Sequence, residues 1–199
     1  YYQHYQATEK MLSQSALDDQ RRTYEGQARF AGDTHPVFNR IGTLDRTLYL
    51  DLGGADWKAV AINSEGWQVI DHPPARFTRA KSMQPLPLPA TSGGDINLLR
   101  RFLNTETEAD FQMLVAWLVG CFHPDGPYPI LILNGEQGSA KSTTARVLRC
   151  LIDPANPIAR SAPNSEQDLV IAAKHNHVLA FDNLSTIKPM MADAFCRIA

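Results

Sequence analysis

Cysteine, charge of one sign and long apolar runs are all scarce in this sequence, and each shortage removes a class of protein. The three cysteines, Cys121, Cys150 and Cys196, are odd in number, widely spaced and form no Cys-x-x-Cys pair. That excludes a disulfide framework or a zinc cluster and fits a reducing compartment. A net charge of -2 and a pI near 6.3 leave no global basic field, so any nucleic-acid contact has to be local or built by assembly. Runs such as Met113–Val119 and Pro129–Leu133 fall far short of the ~18–20 apolar residues that cross a bilayer, and no segment reads as a secretory signal. The expectation is a cytoplasmic protein with no membrane partner. What remains is a chain of 199 residues, 44% of them hydrophobic, enough for one or two domains with a buried core. It opens at Tyr1 and stops at Ala199 inside a stretch that reads as an unfinished helix, so a piece of a longer protein is expected.

Four segments are distinguishable. Residues 1–40 form an N-terminal helical segment, with high helix propensity over Gln6–Phe30 and Leu12, Leu17 and Tyr24 as scattered apolar points. Residues 41–80 form a small β-meander: TLYLDL, WKAVAI and WQVI are short, aromatic and β-branched, separated by the turn strings Gly53–Asp56 and Asn63–Gly66. Alternation puts Leu48, Leu50 and Leu52 on one face, and Trp57, Ala59 and Ala61 likewise share a face, so one side of the sheet is expected to be apolar. Residues 81–94, KSMQPLPLPATSGG, alternate proline and end in glycine, which favours an extended connector and a domain boundary. Residues 95–199 are the remaining α/β core. Within it Asp95–Leu103 and Thr107–Phe122 read as helices, the second opened by a Thr105-x-x-Glu108 capping box and buried through Phe111, Leu114, Val115, Leu118 and Val119.

The chemistry is concentrated in PILILNGEQGSAKSTTARVLRCLI, residues 129–152. Ile130–Leu133 is an all-apolar run of the kind found in a strand buried on both faces. Gly135–Ser142 is a glycine-rich loop, and a helix starts at Lys141 with Ala145, Leu148, Leu151 and Ile152 as its inward face. Strand, loop and helix in that order are the setting of a phosphate-binding loop. Backbone N–H groups of Glu136, Gln137, Gly138, Ser139, Ala140 and Lys141 can cradle phosphates beside a helix N-terminus, to which Thr143 belongs. Lys141 reaches the β and γ phosphates of ATP, and Ser142 ligates Mg²⁺. One position departs from the usual pattern: Ala140 stands where the second fixed glycine is expected, which predicts altered loop geometry with binding retained.

The complementary half of such a site is an acidic residue closing another buried strand. HVLAFD, residues 177–182, supplies it, with Asp182 about 40 residues beyond the loop; the bland alternative is an aspartate that caps the next turn. Asn183 then occupies the place where a glutamate would polarise the attacking water, and an amide cannot take that proton at neutral pH. Asn183 can orient water without deprotonating it, or Glu136 can act as base; slow turnover follows either way. Pro157–Arg160 reads as a second short strand, and Ser165-x-x-Asp168 as the cap of a helix running to Lys174.

LNGEQGSAKSTTARVLRCLIDP, followed by a helix, HVLAFDNLS and the helix Pro189–Arg197, resembles the ATPase module of primase-helicase proteins of phages and mobile elements. These are similar to superfamily 3 helicases. The likeness spans Arg46–Ala199 and is most specific at Asn134–Thr144 and Ala180–Ser185. It implies a P-loop ATPase core, C-terminally truncated here, from a homohexameric, ATP-driven translocase acting on DNA. It further implies a sensor strand and an arginine finger beyond Ala199, and therefore weak nucleotide binding and little hydrolysis by this stretch alone. A second reading, a nucleotide-dependent switch or assembly module with little hydrolysis, is motivated by Ala140 and Asn183. Arg76, Arg79 and Lys81 around Phe77 either grip phosphates or protect a solvated edge strand, the latter being preferred. His175 and His177 lack a third metal ligand nearby.

Overall fold

The computed structural model describes residues 5–6, 13–184 and 186–199; the expectations placed on Leu12 and Ser185 lie outside them. By their internal contacts these residues fall into two units divided between Pro36 and Val37. The first unit is the helix α1, Gln14–Ala31, capped by the Ser13 hydroxyl, which accepts from the Ala16 N–H at 3.2 Å. No residue of α1 is buried.

The second unit contains everything from Val37 onward. Its β-part is a four-stranded antiparallel meander: β2 Ile41–Leu44, β3 Thr47–Asp51, β4 Ala59–Asn63 and β5 Gly66–Ile70, in that spatial order. Two short strands, β1 Val37–Phe38 and β6 Arg76–Phe77, pair in parallel beside it. The three expected strands are present, and β2 is an addition to them. At β3 both faces of the meander are covered, not one, whereas Trp67 and Val69 of β5 are exposed. Register places Tyr49 opposite Ala61, and these pack with Ala75, Phe38 and Phe77 on one side. Leu48 and Leu50 meet the main core on the other. Trp57 does not share the face of Ala59 and Ala61: it precedes β4 in a turn with φ 57° and is half-exposed.

The helical part begins with a 3-10 helix, Ile96–Arg101, where an α-helix through Leu103 is expected. Helix α2 spans Glu108–Gly120 and carries a reciprocal capping box, but through Thr107 and Asp110 rather than Thr105 and Glu108. Both pairs have the same spacing, and the helix starts at the one that puts Phe111, Leu114 and Leu118 into the core. Val115 is half-buried and Val119 exposed. Helix α3 runs Lys141–Ile152, α4 Glu166–Lys174 under a Ser165 cap, and α5 Pro189–Ile198. The main core joins Ile41 of β2 to Phe111, Leu114 and Leu118 of α2, Leu148 and Ile152 of α3, and Val178.

Three expectations need correction here. Ile130–Leu133 lies in no ladder: Leu131 and Leu133 pack on the core, while Ile130 and Ile132 are 50% and 66% exposed. A strand requires a hydrogen-bonded neighbour, and none of the described residues pairs with this segment. Pro157–Arg160 and Val178–Phe181, each expected to be a strand, share only a single parallel bridge, with Arg160 N–H donating to Ala180 O at 3.0 Å and Asp182 N–H to Arg160 O at 2.9 Å. On α3 the inward face contains Thr144 and Arg149 in addition to Leu148 and Ile152, whereas Leu151 is exposed. Arg149 tolerates burial because its donors meet Asp153 O, Ile158 O and Asn176 Oδ1. Burial lowers its pKa and Asp153 opposes that shift.

Residues 81–94 do not separate two bodies. Leu86 N–H donates to Leu52 O, Gln84 N–H to Pro154 O, and Met83 bridges Ala155, so the strap is tied to the meander and to the end of α3. Arg40, fully buried, holds the junction. Its Nε donates to Asp153 Oδ1 at 2.9 Å, Nη1 to Asp51 O at 3.1 Å and Nη2 to Gln84 O at 2.9 Å. Asp153 Oδ2 in turn accepts from the N–H groups of His177 and Val178. One buried carboxylate thus links the meander, the end of α3 and the segment that leads to Asp182.

Candidate functional site: the Gly135–Ser142 loop and Asp182

The loop opens at Gly135, φ 153°, where an added Cβ would meet Ser139 Oγ at 2.7 Å. A side chain there would collide with the loop's own return. Gly138 has φ 88°, and Ala140, the residue before α3, has φ 63° and ψ 18°. This left-handed conformation explains why glycine is favoured at such a position: an L-residue there carries a penalty of roughly 1–2 kcal/mol.

Lys141 folds back into the loop. Its Nζ donates to Gly135 O at 2.7 Å, Glu136 O at 2.6 Å and Ser139 Oγ at 3.2 Å. The ammonium therefore sits within the curl of the chain, held by carbonyls, and among the described residues no carboxylate pairs with it. Among the described residues, the N–H groups of Gln137, Gly138 and Ala140 donate to no protein acceptor. α3 has no side-chain N-cap, so the first-turn N–H groups of Lys141, Ser142 and Thr143 are open too. A cation and a set of free donors share one small region.

Across the chain, Ser142 Oγ donates to Asp182 Oδ1 at 2.8 Å. The same oxygen accepts from the Asn183 N–H at 2.9 Å, and Asn183 is exposed with φ 59°. The structure thus brings together Lys141, Ser142 and Asp182, while Glu136, Gln137 and Thr143 are exposed. Beside Asp182 opens a cleft of about 430 Å³ bordered by Arg146, Arg160, Ser161, Asn164 and Asn183. Arg146 and Arg160 were not among the residues expected from sequence. Arg146 had a readable signal, since it lies four residues beyond Ser142 and so on the same face of α3.

The other residues weighed from sequence fall elsewhere. Arg79 is bound to Asp51 through two hydrogen bonds, of 2.8 and 2.6 Å, and its guanidinium lies 3.8 Å from the centre of the Trp57 ring. Arg79 is thus held in a largely buried ion pair, which is neither a phosphate grip nor the charge of a solvated edge strand. His177 Nε2 pairs with Cys121 O at 2.6 Å, and His175 is exposed at the end of α4. No helix of the described residues is long and apolar enough to cross a membrane.

A glycine-bearing loop, its lysine and a serine–aspartate pair thus form a compact polar centre on an α/β scaffold. Residues 96–199, which include all of it, match the family model of the actinomycete integrative conjugative element replication protein. The chain belongs to that family, a replication protein of mobile genetic elements. No curated protein and no solved structure matches it.

Proposed function

We propose that this chain carries the ATP- and Mg²⁺-gripping part of a P-loop ATPase core, and that it serves DNA replication of its element as part of a helicase-type motor assembled from several copies. The observation that carries the reading is the 2.8 Å hydrogen bond between Ser142 and Asp182. A hydroxyl from the first helical turn and a carboxylate 40 residues away meet directly, and this is the donor set that holds Mg²⁺ beside a nucleotide. The donor chemistry fits: both are hard oxygens, and Mg²⁺ takes its remaining ligands from phosphate and water.

When bound, Mg²⁺ would neutralise charge on the phosphates. The residues of the chain do the rest. The open N–H groups of Gln137, Gly138, Ala140, Lys141, Ser142 and Thr143 donate to phosphate oxygens at the positive end of α3. Lys141 exchanges the carbonyls of Gly135 and Glu136 for phosphate oxygens, a stronger acceptor for an ammonium than a neutral carbonyl. Ser142 and Asp182 fix the cation, and Asn183 orients water by hydrogen bonding. Because the Asn183 amide takes up no proton, hydrolysis is slow unless a base is brought by another chain or by Glu136.

Binding of a fluorescent ATP analogue tests this. Lys141→Ala is expected to weaken it at least tenfold, and Asp182→Asn to abolish the gain that Mg²⁺ gives while sparing metal-free binding. Unchanged affinity in Lys141→Ala removes the reading. Asn183 supports a second reading, a nucleotide-dependent switch with little turnover. Phosphate release stimulated by DNA and lost in Lys141→Ala selects the motor; nucleotide-dependent association without release selects the switch.

A further inference from the structure

We infer that Arg146 and Arg160 form a second phosphate-binding site in the cleft beside Asp182, distinct from the Gly135–Ser142 loop. Arg160 Nε is buried and, among the described residues, is the buried side-chain nitrogen or oxygen with no hydrogen-bond partner. Elsewhere in this unit every nitrogen of the buried guanidinium groups has a partner: Arg40 and Arg149 each meet three or more oxygens. Leaving a charged donor unmet inside a protein is unfavourable, and where it occurs the missing acceptor is commonly supplied from outside. Arg160 borders two clefts. One is the Asp182 cleft, shared with Arg146, Ser161 and Asn164; the other, of about 540 Å³, opens toward Pro157, Asp168 and Phe181.

Neither Arg146 nor Arg160 has a carboxylate within ion-pair distance among the described residues. Two planar cationic forks that border one cleft together with a serine and an asparagine are suited to the tetrahedral array of phosphate oxygens. The backbone ties the site to Asp182, because Asp182 N–H donates to Arg160 O. A phosphate bound by Arg160 is therefore one strand pairing away from the proposed Mg²⁺ ligand. It has two sources: a phosphate of the nucleotide, or a phosphodiester of single-stranded DNA. Only the first depends on the nucleotide reading.

The test uses Arg160→Met and Arg146→Met in the full chain, with the fluorescent ATP analogue plus Mg²⁺ in one arm and a thymidine 20-mer titrated over a range of salt in the other. Arg160→Met is expected to lower one affinity roughly tenfold, the scale of a charged hydrogen bond, and Arg146→Met to lower the same one. The unliganded thermal midpoint of Arg160→Met stays level or rises, because an orphaned donor is removed. A fall in the analogue arm assigns the nucleotide. A fall in the DNA arm, with the salt dependence reduced by about one counterion per arginine, assigns the phosphodiester. Both affinities within twofold of the parent overturn the site, as does a fall matched by loss of the unliganded midpoint, which marks a structural arginine. Should Arg160→Met fail to fold, Arg160→Lys keeps the charge but loses the Nε fork; weaker binding at an intact midpoint supports the site and unchanged binding overturns it. Lys141→Ala separates the two proposals, since normal analogue binding there removes the loop reading while the DNA arm of Arg160→Met still reports.

Discussion

The junction around Arg40 and the loop around Lys141 both place a cation among carbonyl oxygens, yet they are built to opposite ends. Arg40 is wholly buried, fixed by Asp153, Asp51, Gln84 and Pro154, and shares its carboxylate with two backbone N–H groups. Lys141 is partly exposed, is bound to two loop carbonyls and one hydroxyl, and pairs with no carboxylate among the described residues. A buried ion pair in which every guanidinium nitrogen has a partner resists exchange, because removing either partner strands the other. An ammonium on neutral carbonyls beside free N–H groups exchanges readily for an anion. The first arrangement holds the unit together, and the second is available for a ligand.

The largest break in that contrast is Arg40→Ala. It strands Asp153 and frees three carbonyls, so unfolding free energy should fall by about 3–5 kcal/mol, read as a lower urea midpoint at unchanged slope. Lys141→Ala should leave the unliganded urea curve within about 0.5 kcal/mol of the parent. At a nucleotide concentration near 100 times the parent's Kd, however, a tenfold weaker affinity should forfeit about 1.3 of the roughly 2.7 kcal/mol of stabilisation that ligand gives the parent. A large unliganded loss in Lys141→Ala, or none in Arg40→Ala, would erase the distinction.

Smaller effects sharpen it. Burial pushes the Cys121 thiol up to about 11. The unfolded chain releases this proton first, so the contribution is whole below about pH 9 and declines as pH rises toward 11, by at most about 1.4 kcal/mol per pH unit. Cys121→Ala should flatten stability over that window. Cys150 and Cys196, both exposed, should be alkylated in the native protein while Cys121 reacts only on unfolding. Ala140→Gly should raise stability by about 0.5–1 kcal/mol, relief of the left-handed penalty less the entropy of glycine; a decrease would show that the Ala140 methyl packs.

What the sequence made readable follows the reach of each signal. Period-two alternation is local, so β3, β4 and β5 were visible, as was the Ser165 cap. The bends of the loop were visible because glycine marks two of its three left-handed positions, Gly135 and Gly138. The α2 cap was displaced by two residues because Thr105-x-x-Glu108 and Thr107-x-x-Asp110 are equivalent by pattern, and only the packing of Phe111 chooses. Ile130–Leu133 looked like a strand because apolarity reports burial and not the presence of a neighbour. Arg40 and Arg149 were hidden because charge normally marks the surface, and their acceptors come from distant chain. Arg160 was hidden for the same reason: nothing local reveals a donor left unmet.

The Arg40–Asp153 pair also sets a chronology. Its members are 113 residues apart, and the two N–H groups that complete Asp153, those of His177 and Val178, come later still. During synthesis the meander can pair its strands early, from local contacts, but its central guanidinium waits for α3 to emerge and finish. Contacts of such long sequence separation form late and slow the search. The lock that fixes the meander therefore closes only after the loop and α3 have been made, so a chain interrupted before Asp153 should leave the ribosome with its strands formed and its keystone charge still in water.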